Sequence, residues 1–209
     1  MIICNWNIRG LNQAHKQKEL KKFISTNNIH VMGITETKVK YINQDFIQQA
    51  LMPQWSFFSN CLPDLTGRIW VAWDPDRVSL DVLVSNQQMI HTRIISYDHK
   101  ISFEASFIYG FNTGVQRVLL WESLRDLASS MGPIPWITLG DFNVTLHSAE
   151  IQGLDRGNDS EREEFCKCIN ESCLFDLRYI GIFFTWCNRR FGKPDLTQRK
   201  LDRVVVNWQ

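Results

Sequence analysis

No apolar run in this sequence approaches the roughly 18 residues that a membrane-spanning helix requires. The first segment turns polar at Asn5, so neither a signal peptide nor a transmembrane segment is expected. Net charge is nearly absent: 23 Lys and Arg against 22 Asp and Glu leave +1, so no global basic field advertises a polyanionic partner. The six cysteines (4, 61, 166, 168, 173 and 187) form no Cys-x-x-Cys pair, and no His-x-x-x-His spacing accompanies them, which argues against a zinc site. They read instead as reduced thiols of an intracellular protein, with the nucleus as a fitting compartment. Linkers, internal repeats and low-complexity tracts are also missing.

What is present is a globular composition, 44% hydrophobic and 22% charged over 209 residues. A chain of this length buries about 70% of its unfolded surface without staples, and residues 1–209 are expected to form one domain. The charge is unevenly spread. Arg178, Arg189, Arg190, Lys193, Arg199, Lys200 and Arg203 crowd the last stretch against Asp195 and Asp202, interleaved with Phe184, Trp186 and Phe191. That cluster reads equally as a solvated face or a polyanion-facing surface. Lys16, Lys18, Lys21 and Lys22 suit a solvated helix face, and Asp155 to Glu164 is mostly acidic.

Periodicity predicts strands at Ile2–Ile8 and His30–Thr35, with helices at Gln13–Asn27 and Ile42–Leu51. A β-rich middle follows at Trp55–Asn60, Arg68–Trp73, Leu80–Ser85, Met89–Ser96 and Ile101–Tyr109, the last alternating with Phe103, Ala105, Phe107 and Tyr109 on one face. Val115–Ser130 is helical with Leu120, Leu124, Leu127 and Ala128 as its stripe. Trp136–Gly140 is a strand, and Ser160 with Glu163 forms a capping box opening another helix. Strands at Phe183–Asn188 and Lys200–Val206 close the chain. Alternating strands and helices around a β-meander predict an α/β sandwich of two sheets with helices outside.

Polar residues recur at the ends of these strands: Asn7, Glu36, Tyr109 with Asn112, Asp141 with Asn143, Thr185 and Asp202. Ligands of α/β sheets bind beyond the carboxyl ends of strands. An inventory of carboxylates, amides and one phenol, without a thiol nucleophile or a Ser-His pairing, suits oxygen-ligated Mg²⁺ and phosphoester chemistry. The phrases Trp6-Asn7-Ile8-Arg9-Gly10-Leu11, Thr35-Glu36-Thr37-Lys38, Tyr109-Gly110-Phe111-Asn112, Gly140-Asp141-Phe142-Asn143 and Lys200-Leu201-Asp202-Arg203 follow one another in the order of the endonuclease/exonuclease/phosphatase superfamily. Within it the chain resembles the apurinic-type endonuclease domain of plant non-LTR (LINE-type) retrotransposons. The distinctive phrases are Gly67 through Pro75, Leu119-Leu120-Trp121-Glu122 and Phe184-Thr185-Trp186.

The resemblance implies a DNase I-like four-layer α/β sandwich, two mixed sheets flanked by helices, that cleaves a DNA phosphodiester with Mg²⁺, or Mn²⁺ in its place. Glu36 would be the main metal ligand with Asn7 beside it. Asp141 and Asn143 would orient the attacking water. Tyr109 and Asn112 would contact the scissile phosphate. Asp202 would orient a histidine, while Arg9, Thr185 and Arg199 would contact substrate.

Two departures shape the expectations. In the family that histidine lies in a Ser-Asp-His segment beyond the Leu-Asp-Arg strand; here the sequence given stops seven residues after Asp202, and the five histidines are 15, 30, 91, 99 and 147. Only His147, after the Gly140–Asn143 loop, could substitute. Second, Arg9 stands where apurinic endonucleases often carry a carboxylate. The expectation is therefore an impaired nuclease or a silent nucleic-acid-binding remnant, monomeric, lacking its last strand or strands. Leu201–Val206 would become an apolar edge open to association. A third reading keeps the superfamily and changes the phosphoester substrate.

Overall fold

A computed structural model of the protein describes residues 1–63, 68–154 and 157–208. Gly67, which opens one of the distinctive phrases, and Asp155, which opens the acidic run, lie outside the described residues. The chain divides into two compact units, Met1–Tyr109 and Gly110–Gln209.

The first unit runs β1 (Ile3–Asn7), α1 (Ala14–Thr26), β2 (Val31–Thr35), α2 (Gln44–Leu51), β3 (Ser56–Ser59), β4 (Ile69–Trp73), β5 (Val78–Ser85), β6 (Met89–Ser96) and β7 (Ser102–Tyr109). β1 pairs parallel to β2, and β4 joins β2 to β3 antiparallel, giving the mixed order β1-β2-β4-β3. All five residues of β2 are buried, because its two faces are both covered. Met32 and Ile34 meet Leu20 and Ile24 of α1 and Ile47 and Leu51 of α2 in one core. On the other face Gly33 leaves room for the Phe107 ring, which a Cβ would approach to 2.2 Å.

β5, β6 and β7 form an antiparallel meander with a register shift between Val82 and Val84. The predicted alternation of β7 is incomplete as a description. Glu104 and Ser106, on the face opposite Phe107, are buried as well. His91 of β6 joins them there, Nδ1 2.8 Å from Ser106 Oγ and Nε2 3.0 Å from Glu104 Oε2, while Arg93 donates to Glu104 Oε1 at 2.9 Å. Burial pulls the His91 pKa down, against the opposing pull of Glu104.

The second unit comprises α3 (Gly114–Ser130), β8 (Trp136–Asp141), β9 (Ile151–Gln152), α4 (Asp159–Glu171), β10 (Phe175–Asp176), β11 (Trp186–Cys187), β12 (Gln198–Arg199) and β13 (Asp202–Val206). β13 pairs antiparallel with β8 and with β10, and β12 with β11 and β9. α3 buries Trp121 as well as the expected Leu120 and Leu124. Its indole stacks on Phe165 of α4 at 4.8 Å, and Phe142 lies 5.1 Å from Phe165. Aromatic packing of this kind adds to plain area burial.

Four expectations are corrected here. The Ser160–Glu163 capping box does not form: α4 starts one residue earlier, and Asn158 caps it by accepting from the Ser160 amide at 3.0 Å. The Phe183–Asn188 strand shrinks to Trp186–Cys187, because its neighbour β12 is itself only two residues long. β5 begins two residues earlier than expected, at Val78. Finally, β13 is not an edge: Phe175 and Asp176 pair with Val206 and Val205, and the Leu177 amide donates to Val204 O at 2.9 Å. A covering strand of two residues carries no periodicity of its own to read.

Candidate functional site

In the first unit the polar residues gather at the carboxyl ends of β1 and β2. Parallel pairing puts Asn7 in register with Thr35, next to Glu36. The two chains then leave the sheet together, with Ile8 N donating to Thr35 O at 3.0 Å, Gly10 N to Glu36 O at 2.8 Å and Leu11 N to Thr37 O at 2.8 Å. To do so Arg9, Glu36 and Lys38 adopt left-handed backbone at φ 54°, 55° and 54°. Side chains rarely accept that conformation, so its repetition at one strand mouth marks a constrained site. The Glu36 carboxylate is largely covered and sits 3.1 Å from the Lys38 ammonium. Arg9 is exposed and Asn7 half-buried. Tyr109, at the end of β7, is buried with the Arg68 guanidinium 5.4 Å over its ring.

In the second unit β8 ends where the antiparallel β13 begins, and Asp141 and Asp202 are direct cross-strand partners. The residues that follow Asp141 are fixed by their own hydrogen bonds. Asn143 turns left-handed at φ 52°, donates its amide N–H to Asp141 Oδ1 at 2.9 Å, and donates its carboxamide to Gly110 O at 2.6 Å. Gly110 in turn donates to Asp141 O at 2.8 Å, and an added Cβ there would come 2.6 Å from Phe142 O. Phe142 N donates to Leu201 O at 3.0 Å, tying the loop to the segment before β13. Thr185 bonds to the same segment. Its Oγ1 accepts from both Leu201 N and Asp202 N at 3.0 Å, so it fixes the backbone that presents Asp202. Asn112 is exposed, and Arg199 is half-buried with its guanidinium 6.0 Å over Trp186.

Sequence reasoning missed two groups. Arg117, in the first turns of α3, is fully buried, donating to Phe111 O at 2.6 Å and pairing with Glu161 of α4. Glu150 is buried among Arg203, Lys200 and Asp176. Only the two cations flanking Leu201-Asp202 hinted at the second group; Glu150 stands alone in sequence. His147, the one histidine after the Gly140–Asn143 loop, sits at the start of the next turn. It is the N-cap of the short 3-10 turn Ser148–Glu150, its backbone amide donating to Glu150 Oε2 at 3.3 Å.

Oxygen donors of this kind fit a hard cation. Mg²⁺ keeps several waters and needs only one or two carboxylates, which the covered Glu36 beside Asn7 can offer. Among the described residues, no three His, Cys, Asp or Glu side chains form a ready metal cage. No helix among them is long and apolar enough to cross a membrane.

Comparison with known structures finds a similar fold in nucleases and in a phosphatase. The endonuclease domain of TRAS1, a telomere-specific non-LTR retrotransposon, is 17% identical with a TM-score of 0.72, covering 97% of this chain and 83% of that one. The AP endonuclease LMAP from Leishmania major is 17% identical with a TM-score of 0.70, covering 97% and 78%. A mannosyl-6-phosphatase from Bacteroides thetaiotaomicron is 12% identical with a TM-score of 0.63, covering 98% and 84%. Mixed sheets flanked by helices, the DNase I-like α/β sandwich, are common to them. Among curated proteins, sequence comparison finds no significant relative. The endonuclease/exonuclease/phosphatase family model matches residues 4–207, and the chain belongs to that family.

Proposed function

We propose that residues 1–209 act as one Mg²⁺-dependent phosphodiesterase domain that nicks DNA, of retrotransposon type. The observation that carries this reading is the acidic pair Asp141 and Asp202, held opposite each other at two strand ends with Asn143 locked beside them. Like charges directly opposite destabilise a sheet, so such a pair needs a use. When bound, a divalent cation supplies Lewis-acid polarisation of a phosphoryl oxygen. Glu36 and Asn7 are its holders. Asp141, an acceptor, orients a water through its carboxylate, and Asn143 keeps that carboxylate in one rotamer through its amide. Tyr109 and Asn112 are the phosphate contacts, with Arg9 and Arg199 as further cationic or stacking contacts to a polyanion.

DNA as substrate is supported by the similarity to a retrotransposon endonuclease domain and an AP endonuclease, and by the basic-aromatic segment around β11 and β12. There Arg189, Arg190 and Phe191 are exposed between Trp186 and Lys193. A nicking assay on supercoiled plasmid with Mg²⁺ tests the reading. Wild type should relax the plasmid and Glu36→Ala should not; equal behaviour of the two would end it.

A second reading is nucleic-acid binding without turnover. What favours it is the engagement of three of the five histidines. His30 accepts from Ile2 N at 3.0 Å, His91 is buried against Glu104, and His147 is a cap. It predicts DNA association that weakens steeply with salt while plasmid stays intact.

A further inference from the structure

Glu150, Lys200, Arg203 and Asp176 form one charge cluster in the second unit. Glu150 Oε2 accepts from Arg203 Nη2 at 2.7 Å and from the backbone amides of Leu146 at 2.6 Å and His147 at 3.3 Å. Arg203 reaches Asp176 at 3.2 Å through its other terminal nitrogen. Lys200 lies 3.8 Å from Glu150, pairs with Asp176, and sits 4.5 Å over the Tyr179 ring. Two carboxylates thus meet two cations, all but Asp176 nearly inaccessible. Charges buried this way persist only when paired and hydrogen-bonded.

The connectivity matters more than the charge balance. Glu150 closes the loop that begins at Asp141, and Lys200 and Arg203 bracket Leu201 and Asp202. The Lys200 amide also donates to Glu150 O at 3.1 Å. One carboxylate therefore grips, at the same time, the far end of the Asp141–Asn143 loop and the start of the strand carrying Asp202. We infer that Glu150 is a positioning residue: its bonds to Arg203 and to the Leu146 and His147 amides set the placement of Asp141 and Asn143 against Asp202. The inference rests on the nuclease reading for its purpose, but the coupling itself is a property of the fold.

Hydrogen exchange of the intact chain tests it at amides that Glu150 does not touch. In Glu150→Ala, the amides of Phe142, Asn143 and Asp202 should exchange at least about tenfold faster, while Leu139 and Val204 in mid-strand stay protected. Glu150→Gln, which keeps one acceptor oxygen and the volume, should restore much of that protection and serves if the alanine variant fails to fold. Arg203→Lys should reproduce the loosening from the other side. In the nicking assay Glu150→Ala should lower kcat by roughly ten- to a hundredfold with KM little changed, the signature of misplaced rather than missing groups. Faster exchange confined to Leu146 and His147 would overturn the coupling. So would loosening of the mid-strand amides to the same degree, since that is general destabilisation. A wild type that leaves plasmid uncut would remove the nuclease reading, and exchange would still decide the coupling.

Discussion

Replacing Asp202 with Asn should raise stability while slowing cleavage by orders of magnitude. Asp202 and Asp141 are directly opposed across β13 and β8, where Cβ atoms stand about 5 Å apart. Two unit charges at that distance repel by about 3 kcal/mol at an effective dielectric of about 20. Asp202 is half-exposed, so water and salt reduce the repulsion to about 0.2–1 kcal/mol, the range found for cross-strand pairs. Asn keeps the volume and leaves the Thr185 bond to the 202 amide in place. A chain of this size gains about 2–4 °C of Tm per kcal/mol, so the rise should be about 0.4–4 °C. Loss of a positioned acid–base group costs about 10²–10⁴ in rate. Melting curves at low and high salt, run beside plasmid nicking, check both halves. The gain should shrink as salt screens the pair. A fall in Tm with Asn at 202 would show that this carboxylate holds the fold together, and the like-charge account of the site would be wrong.

Three other outcomes follow from the same coordinates. Gly33→Ala should lower the urea midpoint by the equivalent of about 1–3 kcal/mol or more, because the new methyl meets Phe107 at 2.2 Å and Asn5 Oδ1 at 2.5 Å within a packed sandwich. Gly110→Ala should leave the melt of the first unit's core unchanged in cooperativity yet slow nicking, since its Cβ pushes on Phe142 O, between Asp141 and Asn143; unchanged kinetics would count against that loop's role. His91 has a native pKa below its ordinary value of 6.5, chiefly through burial, so protonation favours the unfolded chain. Its contribution to stability is full above that ordinary value and is lost as pH falls from there toward the lowered native value. Thermal melts across this window should show the slope, and His91→Gln should flatten it.

The strand ends were legible because their polar residues stand two apart in sequence: Asn7 and Arg9, Glu36 and Lys38, Asp141 and Asn143. Periodicity located β1, β2, β6, β8 and the four helices for the same local reason. What sequence could not show depends on distant pairing. β9, β10 and β12 are two residues each and exist only because a partner lies alongside. Glu150 meets Arg203 across 53 positions. The bonds from the Thr185 hydroxyl to the backbone at 201 and 202 likewise join positions that local pattern does not connect. Asn158 displaced Ser160 as the cap of α4 by a choice between two competent residues, which local pattern does not decide.

The left-handed residues at 9, 36 and 38 have a practical corollary for anyone seeking a hardier form of this protein. Each non-glycine residue in that conformation sacrifices about 1–2 kcal/mol. Heat resistance is thus most accessible by placing glycine at 9 or 38, outside the packed interior, and any such gain would loosen the very hinge points from which Glu36 is aimed.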